Sequence, residues 1–239
     1  MRGKVEDEDR VLSSLEFVFF DLAGTTVDDR IAGEPLVVAA MVESFAEAGH
    51  MLGLEDVLPY RGKMKIEMIR CLLAGKMKAD DRKFEEEALR IHGLFLKRIL
   101  IGVERLNEIE GTTETFRFLK SRGIHIGVGS GFPAEIVERV IFRMGWMEQG
   151  LLDYVGSGDQ VGAGRPDPGM IQHAMQLLGI RDPRRVLKVG DTAADVKEGK
   201  NAGAWTVAVL TGSQPEDMLR AAGADFVLAS VAALPGLFG

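Results

Sequence analysis

The polar and apolar pattern of the chain begins with Leu15-Glu16-Phe17-Val18-Phe19-Phe20, a nearly unbroken apolar and aromatic run of strand length. A run without polar alternation predicts a strand covered on both faces, as in a parallel sheet. The period then changes to that of a helix. Over 34–49, Leu36, Val37, Ala40, Met41, Ser44, Phe45 and Ala48 fall on one face, and Gly49 suits the C-terminal cap. A second helical stretch, 63–73, turns Ile66, Ile69, Leu72 and Leu73 inward. A third, 80–101, carries Phe84, Ala88, Ile91, Phe95 and Ile99. Residues 28–33 read as a linker, 54–60 are short and interrupted by Pro59, and no strand is evident between about residues 31 and 104.

From Gly111 onward helix and strand patterns alternate. Helices are predicted over 112–122, 133–144, 168–178, 193–202 and 215–222. Strands are predicted over 124–128, 154–155, 185–189, 204–210 and 226–228. Alternation of this kind predicts an α/β fold with a parallel, doubly wound sheet. The helical block then stands as an insertion after the first strand. Residues 1–13 hold too little apolar surface to pack and are expected to form a flexible arm.

Composition narrows the function classes. The 239 residues carry a net charge of −7 without a basic cluster, which disfavours nucleic-acid binding. No apolar run reaches the ~20 residues that span a bilayer, so no membrane partner is expected. Cys71 is the single cysteine, so an internal disulfide is excluded and Cys71 is expected to be an inert core thiol. The charged start, 1–10, has no apolar signal region, and a cytoplasmic location is expected.

Four segments carry candidate chemistry. In the first, Asp21 ends the apolar strand and is followed by Leu22-Ala23-Gly24-Thr25-Thr26-Val27-Asp28. A carboxylate at the carboxyl end of such a strand lies where open α/β sheets bind ligands. By itself it reads equally as the cap of a strand-to-helix turn. In the second, Ile126-Gly127-Val128-Gly129-Ser130-Gly131 joins a strand to a helix. The Ser130 hydroxyl and the backbone N–H groups at Gly131 could hold a phosphate oxygen there. A dinucleotide loop is the rival reading, but its third glycine would fall at Phe132, although Asp153 lies near the ribose-acid distance. The third is Gly164-Arg165-Pro166-Asp167-Pro168, in which Arg165 could neutralise a phosphoryl group or be a solvated loop arginine. The fourth, Lys188-Val189-Gly190-Asp191-Thr192-Ala193-Ala194-Asp195, offers two carboxylates that read as metal ligands or as a helix cap with its i,i+4 partner. His50, His92, His125 and His173 have no metal-ligand spacing.

In order and spacing these segments resemble the four motifs of the haloacid dehalogenase-like superfamily, and most closely its phosphonoacetaldehyde hydrolase (phosphonatase) and phosphonatase-like branch. The resemblance implies a Rossmann-like doubly wound parallel sheet core over 14–30 and 105–239. Over 31–104 it implies an inserted all-helical cap domain. It further implies that Asp21 is the nucleophile and that Asp21, the Ala23 carbonyl and Asp191 hold Mg²⁺, supported by Asp195. Thr25, Gly131 and Arg61 would contact the substrate, and Ser130 and Arg165 would act on the phosphoryl group. Phosphatases of the superfamily carry a second aspartate at the position of Ala23, where it protonates the leaving alcohol. The cap segment Arg61-Gly62-Lys63-Met64-Lys65-Ile66 resembles the branch's Gly-x-x-Lys, with Lys65 at the imine-forming position. Read without the resemblance, Lys63, Lys65 and Arg70 make a solvated helix face.

The reaction implied is Mg²⁺-dependent hydrolysis of the C–P bond of phosphonoacetaldehyde or a closely related 2-oxoalkylphosphonate, through an aspartyl-phosphate and a lysine imine. A phosphomonoester phosphatase is the first alternative and a non-catalytic binding protein for phosphate ligands the second. In phosphonatase proper the positions of Arg61, Met68 and Phe132 usually hold Met, His and Tyr, which shuttle protons around the lysine. Phe132 and Met68 cannot do so, and this favours the phosphonatase-like group. The partner expected is a small phosphorylated or phosphonate substrate, and the resemblance implies a homodimer paired through the cap.

Overall fold

The fold is built outward from the first apolar run. The computed structural model of the chain describes Leu12 and residues 14–60, 63–78, 82–162 and 164–239. The apolar run becomes strand β1 (Phe17–Asp21), in which every residue is buried. Side chains alternate across a strand, so Phe17 and Phe19 join Tyr154, Met170 and Ile171 in one layer. Val18 and Phe20 join the main core on the other face, where the rings of Phe20 and Phe116 lie 5.0 Å apart.

Five more strands complete a parallel sheet: β2 (His125–Ser130), β3 (Tyr154–Ser157), β4 (Val186–Gly190), β5 (Trp205–Val209) and β6 (Phe226–Leu228). Their order is β6-β5-β4-β1-β2-β3, that of a Rossmann-type doubly wound sheet, whose strand order reverses between β1 and β4. Ligands of such sheets bind at that reversal, beyond the carboxyl ends of the strands. Asp21 ends β1, and Asp191 directly follows β4.

Between β1 and β2 run helices α1 (Leu36–Glu47), α2 (Leu54–Val57), α3 (Lys65–Ala74) and α4 (Arg82–Val103). The inward positions expected from periodicity hold in α4, where Phe84, Ala88, Ile91, Phe95 and Ile99 are all buried. Helix α1 packs on α4, as does α3, and α4 reaches across to α6 (Ala134–Met144) of the sheet layer. Helices α5 (Thr112–Ser121), α7 (Gly158–Val161), α8 (Gly169–Leu178), α9 (Ala193–Ala202) and α10 (Glu216–Ala221) complete the α/β part.

Several expectations change. The stretch read as a linker pairs twice. Val27–Asp28 runs antiparallel to Asn107–Glu108, and Arg30–Ile31 to Glu34–Pro35. The second ladder places a strand where none is evident in the sequence. Two-residue ladders leave no alternation to read, since their register is set by the approach of distant backbone. The first ladder ties together the two chain crossings between the sheet layer and the helical cap. Of the expected N-terminal arm, 1–13, only Leu12 is described, and it is buried against the main core; the rest of the arm lies outside the described residues. Cys71 lies on the exposed side of α3, not in the core.

Candidate active site

Asp21 is positioned by sheet register. It stands opposite Gly129 of β2, so the end of β1 meets the Ser130-Gly131 turn directly. The loop after it is tight: the N–H groups of Thr25, Thr26 and Val27 all donate to the Leu22 carbonyl. Gly24, at φ +88°, is needed for this, and a Cβ there would lie 2.8 Å from an oxygen of Asp191. The same loop thus brings Asp21 and Asp191 together. Thr25 donates its hydroxyl to Asp191 Oδ1 at 3.1 Å. It does not line the cavity, so it steadies Asp191 rather than facing a ligand as expected.

Asp195 is engaged through both carboxylate oxygens. Oδ2 accepts the Thr192 N–H at 3.2 Å, while the Thr192 hydroxyl accepts the Asp195 N–H, which closes a capping box on α9. Oδ1 faces Arg165 at 3.1 Å and Lys188 at 3.0 Å. The helix-cap reading of Asp195 is realised through Oδ2, while Oδ1 is taken up by the two cations. Gly190 permits this approach, since a Cβ there would strike the Asp195 side chain at 2.2 Å.

Arg165 is 2% exposed and fully engaged. Nη1 reaches Asp21 Oδ1 at 2.6 Å, Nη2 donates to the Gly129 carbonyl at 2.7 Å, and Nε donates to Glu198 Oε2 at 2.9 Å. Burial alone would favour the neutral guanidine. The charges of Asp195, Asp21 and Glu198 outweigh it and hold Arg165 well above the ordinary arginine value. Burial likewise pushes Asp195 up, and the charges of Arg165 and Lys188 bring it below the usual carboxylate range.

Glu198 and Lys188 complete the arrangement, and the sequence reading assigned neither a role. Lys188 Nζ lies 3.0 Å from Glu198 Oε2 and from Asp195 Oδ1, and 4.8 Å from the centre of the Phe19 ring. Arg165, Asp195, Lys188 and Glu198 therefore form a closed, buried ring of alternating charge. The sequence held two signs of it. Lys188 is a lone charge in a strand buried on both faces, which requires a partner. Glu198 falls three residues after Asp195, on the same helix face.

The cap closes the site from above. Lys65, at the start of α3, is 6% exposed, against its reading as part of a solvated face. Its Nζ sits 4.8 Å from the centre of the Phe132 ring and donates to the Lys63 carbonyl at 3.3 Å. Phe132 stacks on Phe95 of α4 at 6.4 Å. Met64 packs on Gly164, where a Cβ would lie 2.3 Å from its side chain. Asp21, Ala23, Ser130, Gly131, Arg165 and Asp191 of the α/β part line one cavity with Lys65 and Val37 of the cap. Arg61 lies outside the described residues.

One carboxylate oxygen from each of Asp21, Asp191 and Asp195 lies within 4.8 Å of the others. These three and Glu198 give four buried carboxylates against two buried cations, Arg165 and Lys188. Two formal negative charges remain, before Lys65 is counted. An all-oxygen donor set with that balance fits a hard divalent cation. The dinucleotide reading loses its acid: Asp153 accepts the Ile126 N–H at 2.7 Å and Lys120 at 2.8 Å. Among the described residues no helix is long and apolar enough to cross a membrane.

Strand order, site geometry and sequence now meet in one class. The haloacid dehalogenase-like hydrolase pattern matches residues 15–203, and the chain belongs to that family of hydrolases, within its phosphonoacetaldehyde hydrolase and phosphonatase-like branch. It is 36% identical over 214 residues to a phosphonoacetaldehyde hydrolase of Bacillus cytotoxicus, covering 83% of this chain and 77% of that one. It is 29% identical over 259 residues to one of Bacteroides fragilis, covering 95% and 96%. A phosphonoacetaldehyde hydrolase-like protein from Oleispira antarctica superposes with a TM-score of 0.81 at 26% identity, over 94% of this chain and 91% of that one.

Proposed function

We propose that this chain hydrolyses the carbon–phosphorus bond of phosphonoacetaldehyde or a closely related 2-oxoalkylphosphonate. The observation that carries this reading is Lys65, a cap amine buried in the same cavity as Asp21, with Ala23 in place of an acid. Breaking a C–P bond needs a sink for its electron pair rather than a proton donor to a leaving oxygen. An amine supplies it: Lys65 Nζ condenses with the substrate carbonyl, releasing water and forming an imine.

Asp21 then attacks phosphorus. The C–P electron pair moves into the imine, leaving an enamine on Lys65 and a phosphoryl group on Asp21. Protonation and hydrolysis of the enamine release the carbonyl product, and water cleaves the aspartyl-phosphate. Arg165 holds Asp21 in line and offsets phosphoryl charge. Ser130 and the backbone at Gly131 hold phosphoryl oxygens. Asp21, the Ala23 carbonyl and Asp191, supported by Asp195, would hold Mg²⁺, which would screen the charge of the phosphoryl oxygens.

Borohydride added with phosphonoacetaldehyde should reduce the imine and leave an adduct on the Lys65 peptide, read by mass. Lys65→Arg should lose phosphate release, because guanidinium keeps the charge but forms no imine. A second reading is phosphomonoester hydrolysis, in which Lys65 only attracts the phosphate. Under it Lys65→Arg retains much of its activity and no adduct appears, and that pair of results would overturn the imine mechanism.

A further inference from the structure

A second recess adjoins the catalytic cavity. Ala23, Val37 and Phe132 line both. Its deeper wall is formed by Ile99 and Val103 of α4 on one side and by Ile136 and Val140 of α6 on the other. These four are at most 3% exposed. The two spaces differ in character. The catalytic cavity is walled by Asp21, Arg165, Asp191 and Lys65, and the recess by apolar side chains apart from Asp29. The recess has room for about one water-sized sphere, and a space walled by apolar side chains favours an apolar guest.

The divider between the two spaces is also the neighbour of the reacting amine. Lys65 Nζ sits 4.8 Å from the centre of the Phe132 ring. A carbonyl carbon bonded to Nζ would lie about a bond length, ~1.3 Å, from it, inside the cavity that shares Ala23, Val37 and Phe132 with the recess. An aldehyde hydrogen would leave the recess empty. A methyl group would fill it. Ala23 contributes a methyl wall where a longer polar side chain would bring charge to the rim.

Resting on the carbonyl-phosphonate reading above, we propose that the preferred substrate is a ketone, a 2-oxoalkylphosphonate whose carbonyl carries one methyl group seated in this recess. The ligand class is thus a methyl ketone phosphonate, with longer alkyl ketones disfavoured by the size of the recess.

The test measures phosphate release from phosphonoacetaldehyde, 2-oxopropylphosphonate and 2-oxobutylphosphonate. Burying one methyl should lower KM for the methyl ketone about four-fold relative to the aldehyde. Val140→Ile adds a methylene to the recess wall and should lower the methyl ketone-to-aldehyde ratio of kcat/KM roughly ten-fold or more. Ile99→Val enlarges the recess and should shift preference toward the ethyl ketone, so the test survives if Val140→Ile fails to fold. The proposal is overturned if wild-type enzyme binds the aldehyde more tightly than the methyl ketone. It is equally overturned if both variants leave the substrate ratios within two-fold of wild type. If no carbonyl phosphonate is turned over and borohydride traps no adduct, the functional reading itself fails, a result distinct from a working aldehyde hydrolase with an unused recess.

Discussion

Lys188→Met tests whether the buried ring acts as one unit. Lys188 is 1% exposed and meets Asp195 and Glu198 at 3.0 Å each. Methionine keeps most of the apolar stem against Phe19 and removes only the charge. Asp195 and Glu198 would then share Arg165 as their remaining buried cation. Removing one partner of a buried ion pair costs about 3–5 kcal/mol, because the other charge stays buried and uncompensated. At this chain length each kcal/mol lowers Tm by about 2–4 °C, so a fall of roughly 6–20 °C is expected. A domain with 5–15 kcal/mol of stability would in general remain folded at 25 °C.

The double variant Lys188→Met/Glu198→Leu removes one charge of each sign. Arg165 keeps Asp21, Asp195 and the Gly129 carbonyl, and loses only the acceptor of its Nε. The double variant should therefore cost less than the sum of the single variants by about 2–3 kcal/mol. Equilibrium denaturation of the wild type and the three variants at pH 7 measures this cycle. A Lys188→Met cost below about 1 kcal/mol, or additive single costs, would refute the ring as a coupled device.

Exhaustive EDTA treatment should abolish turnover and Mg²⁺ should restore it, since the candidate donors are all oxygen. Mg²⁺ at a hundred-fold excess over its Kd should also stabilise the fold by about 2.7 kcal/mol in a thermal melt. Asp153→Asn should destabilise the fold at pH 7 by roughly 1–3 kcal/mol, with the dinucleotide-type role playing no part. Burial raises the Asp153 pKa, but the hydrogen bonds from Lys120 and the Ile126 N–H, with the Lys120 charge, bring it below 3.8. A depressed carboxylate stabilises above its unfolded pKa and loses that contribution as pH falls through the folded value. The Asp153→Asn penalty should hence persist from neutral pH down to about pH 4 and shrink below it. A penalty that stayed unchanged as pH fell below about 4 would refute the assignment.

What the chain alone determined is what a few consecutive residues can decide. Burial of both faces of β1 follows from its own run of Phe and Val, and the inward stripe of α4 follows from residues three and four apart. Asp21, Asp191 and Asp195 were legible because strand ends and the turns after them carry local marks, an apolar run stopped by a carboxylate and a glycine. Arg165 was legible as a charge, but its partners were not, because Asp21 stands 144 residues away and Glu198 33. The same holds for the Thr25 hydroxyl, which meets Asp191 across 166 residues. Lys65 had two readings, a solvated face or a buried amine, and only the packing of Phe132 and Met64 against the α/β part decided between them. The apolar recess belongs to no segment at all. Its walls come from the β1 loop, the cap and α6. Local pattern records the sum of burial along one element, whereas ion pairs and cavities depend on which surfaces the folded chain brings within a few ångströms.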